Sequence, residues 1–265
     1  MKRKGDEAVV VTVDVAAPPA IVYSFFTDPA RVAAWLGSGS ELGARSGDPI
    51  RVAAPNGDVA VGVIREFTEH RIVFTWGYAH DTHGIAPGAT TVEIELTPTA
   101  AGTSITLRHS GLQTAEQRRN HAQGWRYFTG ALASAAAHLA LGGATEPAID
   151  SYVAAWAAHD RTHRDALLGR AWSTDGVFKD SMGYVAGRDA LSDYIGMAQQ
   201  FMPGVMLRRS GLGLRSHGHV MFRWEMVGPN GQQFGSGWNV GELDQAGQFR
   251  WMVGFQAPRE TNASP

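Results

Sequence analysis

The sequence predicts an α+β protein built from two successive domains, each pairing an antiparallel sheet with helices. Three observations carry this. The chain has 265 residues, against about 100–150 for a typical single domain. One complete pattern of strand, two short helices, several strands and a long helix is finished by about residue 142. A different pattern, three helices and then a run of strands, starts soon afterwards, so the second half is not a repeat of the first.

The elements follow in order. Val9, Val11, Val13 and Val15 alternate with Val10, Thr12 and Asp14, the period of a strand. Pro18-Pro19 opens a helix through Phe26, since proline is tolerated in a first turn. Asp28-Pro29 opens another that ends near Trp35-Leu36-Gly37. From Ile50 to His109 the chain reads as strands and turns, with Pro55-Asn56-Gly57-Asp58 as a hairpin signal. Arg71–Trp76, Thr91–Leu96 and Ser104–His109 are three of these strands. Thr114 caps a long helix, and Gln117 completes a capping box. Its apolar stripe runs His121, Trp125, Phe128, Leu132, Ala135, Leu139. Gly142-Gly143 ends it.

In the second half, Ile149, Tyr152, Val153 and Trp156 mark one helix face. Leu167, Leu168 and Trp172 belong to a second helix, and Val177–Asp180 to a short strand. Leu191, Tyr194, Ile195 and Ala198 mark a third helix, closed by Pro203-Gly204. Strands are expected near 205–215, 218–227, 232–243 and 248–256, with Pro229-Asn230-Gly231 as one of the turns. The expected division is 1–142, a linker at 143–146, 147–257, and a tail at 258–265.

Composition narrows the function. Formal net charge is −2, with 23 basic and 25 acidic side chains, so nothing drives phosphate binding and nucleic acid is not an expected partner. No apolar run reaches the roughly 20 residues that span a bilayer. No apolar signal core follows Lys2-Arg3-Lys4. Cysteine is absent, which removes disulfides, thiolate metal sites and a cysteine nucleophile. A cytoplasmic location fits. No phosphate-cradling glycine loop and no nucleophile elbow occur.

The first domain resembles the bacterial relatives of the Hsp90-ATPase-activator domain, within the START-like (SRPBCC) superfamily. The residues that carry the resemblance are Pro18-Pro19…Val22-Tyr23, Asp28-Pro29 with Trp35-Leu36, and Phe74-Thr75-Trp76-Gly77. Val92 to Pro98, Gly102-Thr103, and His121 with Gly124-Trp125 complete them. The resemblance implies a helix-grip fold around an apolar cavity. The second domain resembles the SnoaL-like, NTF2-like group, relatives of polyketide cyclases and ketosteroid isomerase. It does so through Ala155-Trp156…His159-Asp160, Trp172…Asp175 to Asp180, and Gly187 to Leu191. Trp224, Gly237…Asn239-Val240…Glu242-Leu243-Asp244 and Gly254-Phe255 continue it. That resemblance implies a cone-shaped α+β domain.

It also implies roles. Asp180 matches the position that often carries a general base, followed here by Ser181 in place of the frequent proline. Asn239 matches a position that is commonly Asp; an amide donates a hydrogen bond at any pH but transfers no proton. The protonated acid of ketosteroid isomerase is the familiar precedent for a donor at that place. Counting back from Asp180 places Trp156 where that isomerase has a phenol, so an identical site is not implied.

Each candidate keeps a structural alternative. Asp180, beside Phe178, Met182 and Tyr184, is either a base in an apolar setting or a turn-holding carboxylate. Arg223 and Glu225 share one face of a strand, either as pocket groups beside Asp180 or as exposed charges. His109 and His121 either meet a ligand in the first cavity or are hydrogen-bonded core histidines. Trp35, Trp76, Trp125 and Trp156 are pocket walls or core. His217 and His219, two apart at a turn, give only a weak metal signal. No metal and no cofactor is expected. The function expected is binding of a small, largely apolar molecule, aromatic or polyketide-like. Cyclase, isomerase or hydrolase chemistry in the second domain stays open, and a protein-interaction role is the alternative. A homodimer through the second domain is implied by the resemblance alone.

Overall fold

The structure, a computed structural model, describes residues 7–54, 57–80 and 82–258. Lys2-Arg3-Lys4, Pro55-Asn56 of the expected hairpin, and the tail beyond residue 258 lie outside the described residues. The chain divides between Ala140 and Leu141 into two compact units.

The first unit is one seven-stranded sheet and three helices. Its strands are β1 (Val9–Val15), β2 (Glu41–Leu42), β3 (Pro49–Ala53), β4 (Val59–Phe67), β5 (Arg71–Tyr78), β6 (Thr90–Thr99) and β7 (Gly102–Ser110). They lie in the order β1-β7-β6-β5-β4-β3-β2, every neighbouring pair antiparallel. Helices α1 (Pro19–Thr27) and α2 (Pro29–Leu36) sit between β1 and β2, and α3 (Ala115–Leu141) follows β7. The Asp28 carboxylate caps α2, accepting from Ala30 N at 2.9 Å. At the start of α3 the capping box closes both ways: Gln117 N donates to Thr114 Oγ1 at 3.0 Å, and Thr114 N donates to Gln117 Oε1 at 3.1 Å.

The expected stripe of α3 drifts after Leu132. Leu139 is exposed, and Ala133, Ala136 and Ala137 are buried in its place. A fixed spacing holds one face only over a few turns, whereas over 27 residues the buried face of a helix turns with its packing.

The second unit begins with α4 (Thr145–Ala157) and α5 (Arg161–Ala171). Strands β8 (Trp172–Lys179) and β9 (Tyr184–Ala186), helix α6 (Arg188–Phe201), then β10 (Met206–Ser216), β11 (His219–Val227), β12 (Gln233–Leu243) and β13 (Phe249–Gln256) follow. The sheet order is β10-β11-β12-β13-β8-β9, and β8 runs parallel to β13. Three helices with a sheet bent by register shifts in β10, β11 and β12 are the arrangement the SnoaL-like resemblance implied. Two elements differ: β9 is not among the expected strands, and Trp172 opens β8, expected only from Val177, and does not close α5. Its indole stacks on Tyr152, with centroids 5.8 Å apart, and lies across Gly176, where a Cβ would come within 2.4 Å of Nε1.

Among the described residues no helix is long and apolar enough to cross a membrane.

Candidate functional site

In the second unit, a hollow of about 460 Å³ is bounded by α4, α6 and the inner faces of β11, β12 and β13. Strand alternation decides which side chains reach it. Phe222, Trp224 and Met226 share one face of β11, and of these Trp224 and Met226 line the hollow. Trp156, Phe178 and Tyr194 form the aromatic wall, with ring centroids 5.8–6.2 Å apart. Phe201, Met197, Met202 and Met182 line the hollow and are also exposed, so its rim is apolar and easily reshaped.

Two polar groups of the lining, Asp180 and Asn239, lie at one end of it, both close to Gly254. A Cβ built on Gly254 would lie 3.1 Å from Asn239 Oδ1 and 3.4 Å from the Asp180 Cβ. Asp180 follows β8. Its Oδ1 accepts from the amides of Met182 and Gly183, each at 2.8 Å, which closes the turn into β9. The Tyr194 hydroxyl donates to the same carboxylate at 2.9 Å (Oδ1) and 2.8 Å (Oδ2). The turn-holding reading of Asp180 is the one these bonds show: Oδ1 accepts from the two turn amides and from Tyr194, while among the described residues Oδ2 accepts from Tyr194 alone. Gly183 makes this possible, because a Cβ there would press to 2.8 Å on the Tyr194 ring.

Asn239 is 3% exposed. Its Oδ1 accepts from Trp224 Nε1 at 3.0 Å, across the β11–β12 pair. An indole only donates, so this bond fixes which way the amide faces and leaves Nδ2 as a donor. Nδ2 donates to the Tyr152 hydroxyl at 3.4 Å. Burial above all raises the pKa of both phenols, Tyr152 and Tyr194, and for Tyr194 the bond to Asp180 adds to it. Both stay protonated donors at neutral pH. The end of the hollow thus holds one carboxylate and a set of neutral donors.

The first unit has a hollow of about 740 Å³ between β3–β5 and α3. Trp76, Trp125 and Phe128 line it, with Tyr78 and His121 at its polar side. His121 Nδ1 donates to the Gln117 carbonyl at 2.7 Å, which leaves Nε2 to accept from the Tyr78 hydroxyl at 3.2 Å. Burial, the largest effect, holds the His121 pKa below the ordinary value. His83, beside Tyr78, pairs with Asp58 at 2.8 Å.

The structure places the sequence candidates unequally. Asp180, Asn239 and Trp156 line the second hollow; Trp76, His121 and Trp125 line the first. Five expectations are corrected. His109 is fully buried outside the lining: Nδ1 accepts from Trp125 Nε1 at 3.0 Å and Nε2–H bonds Thr90 Oγ1 at 2.8 Å. It is a satisfied core histidine, its pKa lowered to about 3 by burial first and by His121 second. Trp35 is core as well, donating to the Phe25 carbonyl at 3.0 Å and packing edge-on against Phe26. Tyr184 is 68% exposed, under the ammonium of Lys179. Arg223 and Glu225 lie on the outer face of β11, opposite in parity to Phe222 and Trp224, and Glu225 pairs with Arg208 at 2.8 Å. The alternation itself could have excluded them. Tyr152, Tyr194 and Trp224 were not assigned to the polar end. Tyr152 stands one turn before Trp156 on the same helix face, a spacing that points to it.

Among the described residues no group of three or more His, Asp or Glu is arranged to hold a metal. His217 and His219 sit at the turn between β10 and β11, with His219 against Trp251.

Residues 16–137 match the family described as Activator of Hsp90 ATPase homolog 1-like protein. The first unit belongs to that family. This activator-homologue domain, matched from the residue after β1 into α3, includes every residue named in its hollow. The chain is also similar to solved structures. One is a SnoaL-like family protein from Agrobacterium tumefaciens, at 25% identity, covering 44% of this chain and 99% of that one, with a TM-score of 0.42. Another is an AHSA1-like protein from Rhizobium etli, at 31% identity, covering 51% of this chain and 86% of that one, with a TM-score of 0.38. No curated protein matches the chain.

Proposed function

We propose that the protein binds small, largely apolar molecules in the hollows of its two units, and that the second hollow performs acid–base chemistry of the cyclase or isomerase kind. One observation carries the second part: Asp180 and Asn239 both line an aromatic-walled hollow and both approach the same glycine. Asp180 Oδ2 is the base, positioned by Tyr194. It takes a proton from a carbon next to a carbonyl. Negative charge then grows on the carbonyl oxygen, where Asn239 Nδ2 and the Tyr152 hydroxyl are neutral donors already held in place. Returning the proton to a different atom completes an isomerisation; attack of the carbanion on a second carbonyl closes a ring, and the proton held by Asp180 then passes to the new alkoxide.

The test is proton exchange. Cyclic aromatic ketones incubated with the protein in D2O should take up deuterium at the α-carbon faster than in buffer. Asp180→Asn keeps the turn, since an amide oxygen still accepts from Met182 and Gly183, yet exchange should fall by about 100-fold or more. Unchanged exchange in a folded Asp180→Asn protein rules out the base.

A further inference from the structure

The charge around the hollow of the activator-homologue domain is one-sided. Among the described residues that line it there are two carboxylates, Asp58 and Glu116, and neither lysine nor arginine. Its histidines do not reverse this. His121 is kept neutral by burial, with one nitrogen given to a carbonyl and the other to Tyr78. His83 is paired with Asp58 at 2.8 Å. Glu116 has no ion-pair partner among the described residues, although it also meets the positive end of α3. The first-turn amide of Gln117 there already donates to Thr114 Oγ1.

The walls point the same way. Trp76, Tyr78, Trp125 and Phe128 follow one another around the hollow: Trp76 lies 5.0 Å from Trp125 and 6.2 Å from Tyr78, and Trp125 lies 6.2 Å from Phe128. Aromatic faces carry negative potential and attract a desolvated cation. A carboxylate ligand would meet the same faces and the two acids without any compensating charge.

We propose that this hollow selects an organic cation, a molecule with an apolar body and an ammonium group held between the aromatic faces and the carboxylates. The proposal rests on the reading that the hollow takes a ligand. It adds the charge class of that ligand.

Three benzyl probes, the first two of one shape, separate charge selection from simple apolar binding. Isothermal titration of the full chain would use benzyltrimethylammonium, its uncharged carbon isostere neopentylbenzene, and phenylacetate. The cation should bind about tenfold tighter than the isostere, with phenylacetate weakest. Glu116→Gln should weaken the cation about threefold, in a salt-sensitive way, and leave neopentylbenzene unchanged. Glu116→Lys should bring phenylacetate level with the cation or above it. Glu116 is exposed, so both variants should fold, which circular dichroism checks. Equal binding of cation and isostere, or a cation indifferent to Glu116→Lys, overturns the charge selection while leaving a hollow that binds. Saturation by none of the three overturns both.

Discussion

His109 makes the first unit acid-labile, by an amount that follows from its environment. The folded ring is locked neutral: Trp125 occupies one nitrogen, Thr90 the other, and no solvent reaches either. Its pKa in the folded state is about 3, against an ordinary value of 6.5. Between those values the unfolded chain carries a proton that the folded chain refuses. Unfolding therefore takes up protons, and stability falls as pH drops from about 6.5 toward 3. From pH 7.5 to pH 5 the loss is about 2 kcal/mol from this residue. His121, lowered for the same first reason, adds in the same direction. The perturbation is His109→Gln, whose amide can accept from Trp125 and donate to Thr90 without titrating. Urea unfolding of both proteins at pH 7.5 and 5.0 isolates the effect, because the transition moved by the substitution belongs to the first unit. The variant should be less stable at pH 7.5, and the gap should narrow by about 2 kcal/mol at pH 5. Should the variant fold poorly, the His109 ring protons of the native protein give the same answer by nuclear magnetic resonance: they should not shift above pH 4. Titration of that ring near 6.5, or a gap that stays constant with pH, refutes the reasoning.

Two further outcomes concern the second hollow. Gly183→Ala places a methyl against the Tyr194 ring, so the Tyr194–Asp180 bond should break and deuterium exchange should drop by about tenfold, with a melting temperature within a few degrees of the native one. Trp224→Phe leaves the buried Asn239 oxygen without its donor, which should cost about 1–3 kcal/mol of stability in urea unfolding and weaken ketone binding as the amide loses its orientation.

Much of this fold is legible in local chemistry. The capping box at Thr114 and Gln117, the Asp28 cap and the alternation of β1 are contacts between residues near in sequence, and each forms as read. The four last strands lie close to their expected positions for the same reason, since turn residues such as Pro229-Asn230-Gly231 separate them. Trp172 was misplaced because apolar residues next to a helix end fit a helix face and a buried strand start equally well. The candidate site divides along the same line. Asp180 and Asn239 were found through motif positions, yet their partners were not. Tyr152, Tyr194 and Trp224 reach them from two helices and a strand; the apolar spacing marks the helix faces that carry both tyrosines, but which group of another element each hydroxyl meets depends on packing that no short window of sequence specifies. Arg223 and Glu225 failed for the opposite reason: chemistry suggested them, and the parity of β11 sent them outward.

The central claim is that the second unit holds an open apolar chamber ending at Asp180 and Asn239. Titration of an aromatic ketone against the native protein and Gly254→Leu tests it most directly, because the new side chain would grow from the gap between those two residues. Saturable binding to the native protein, lost in a folded Gly254→Leu variant, is the predicted result. Absence of binding to the native protein, or equal affinity in the two, contradicts it.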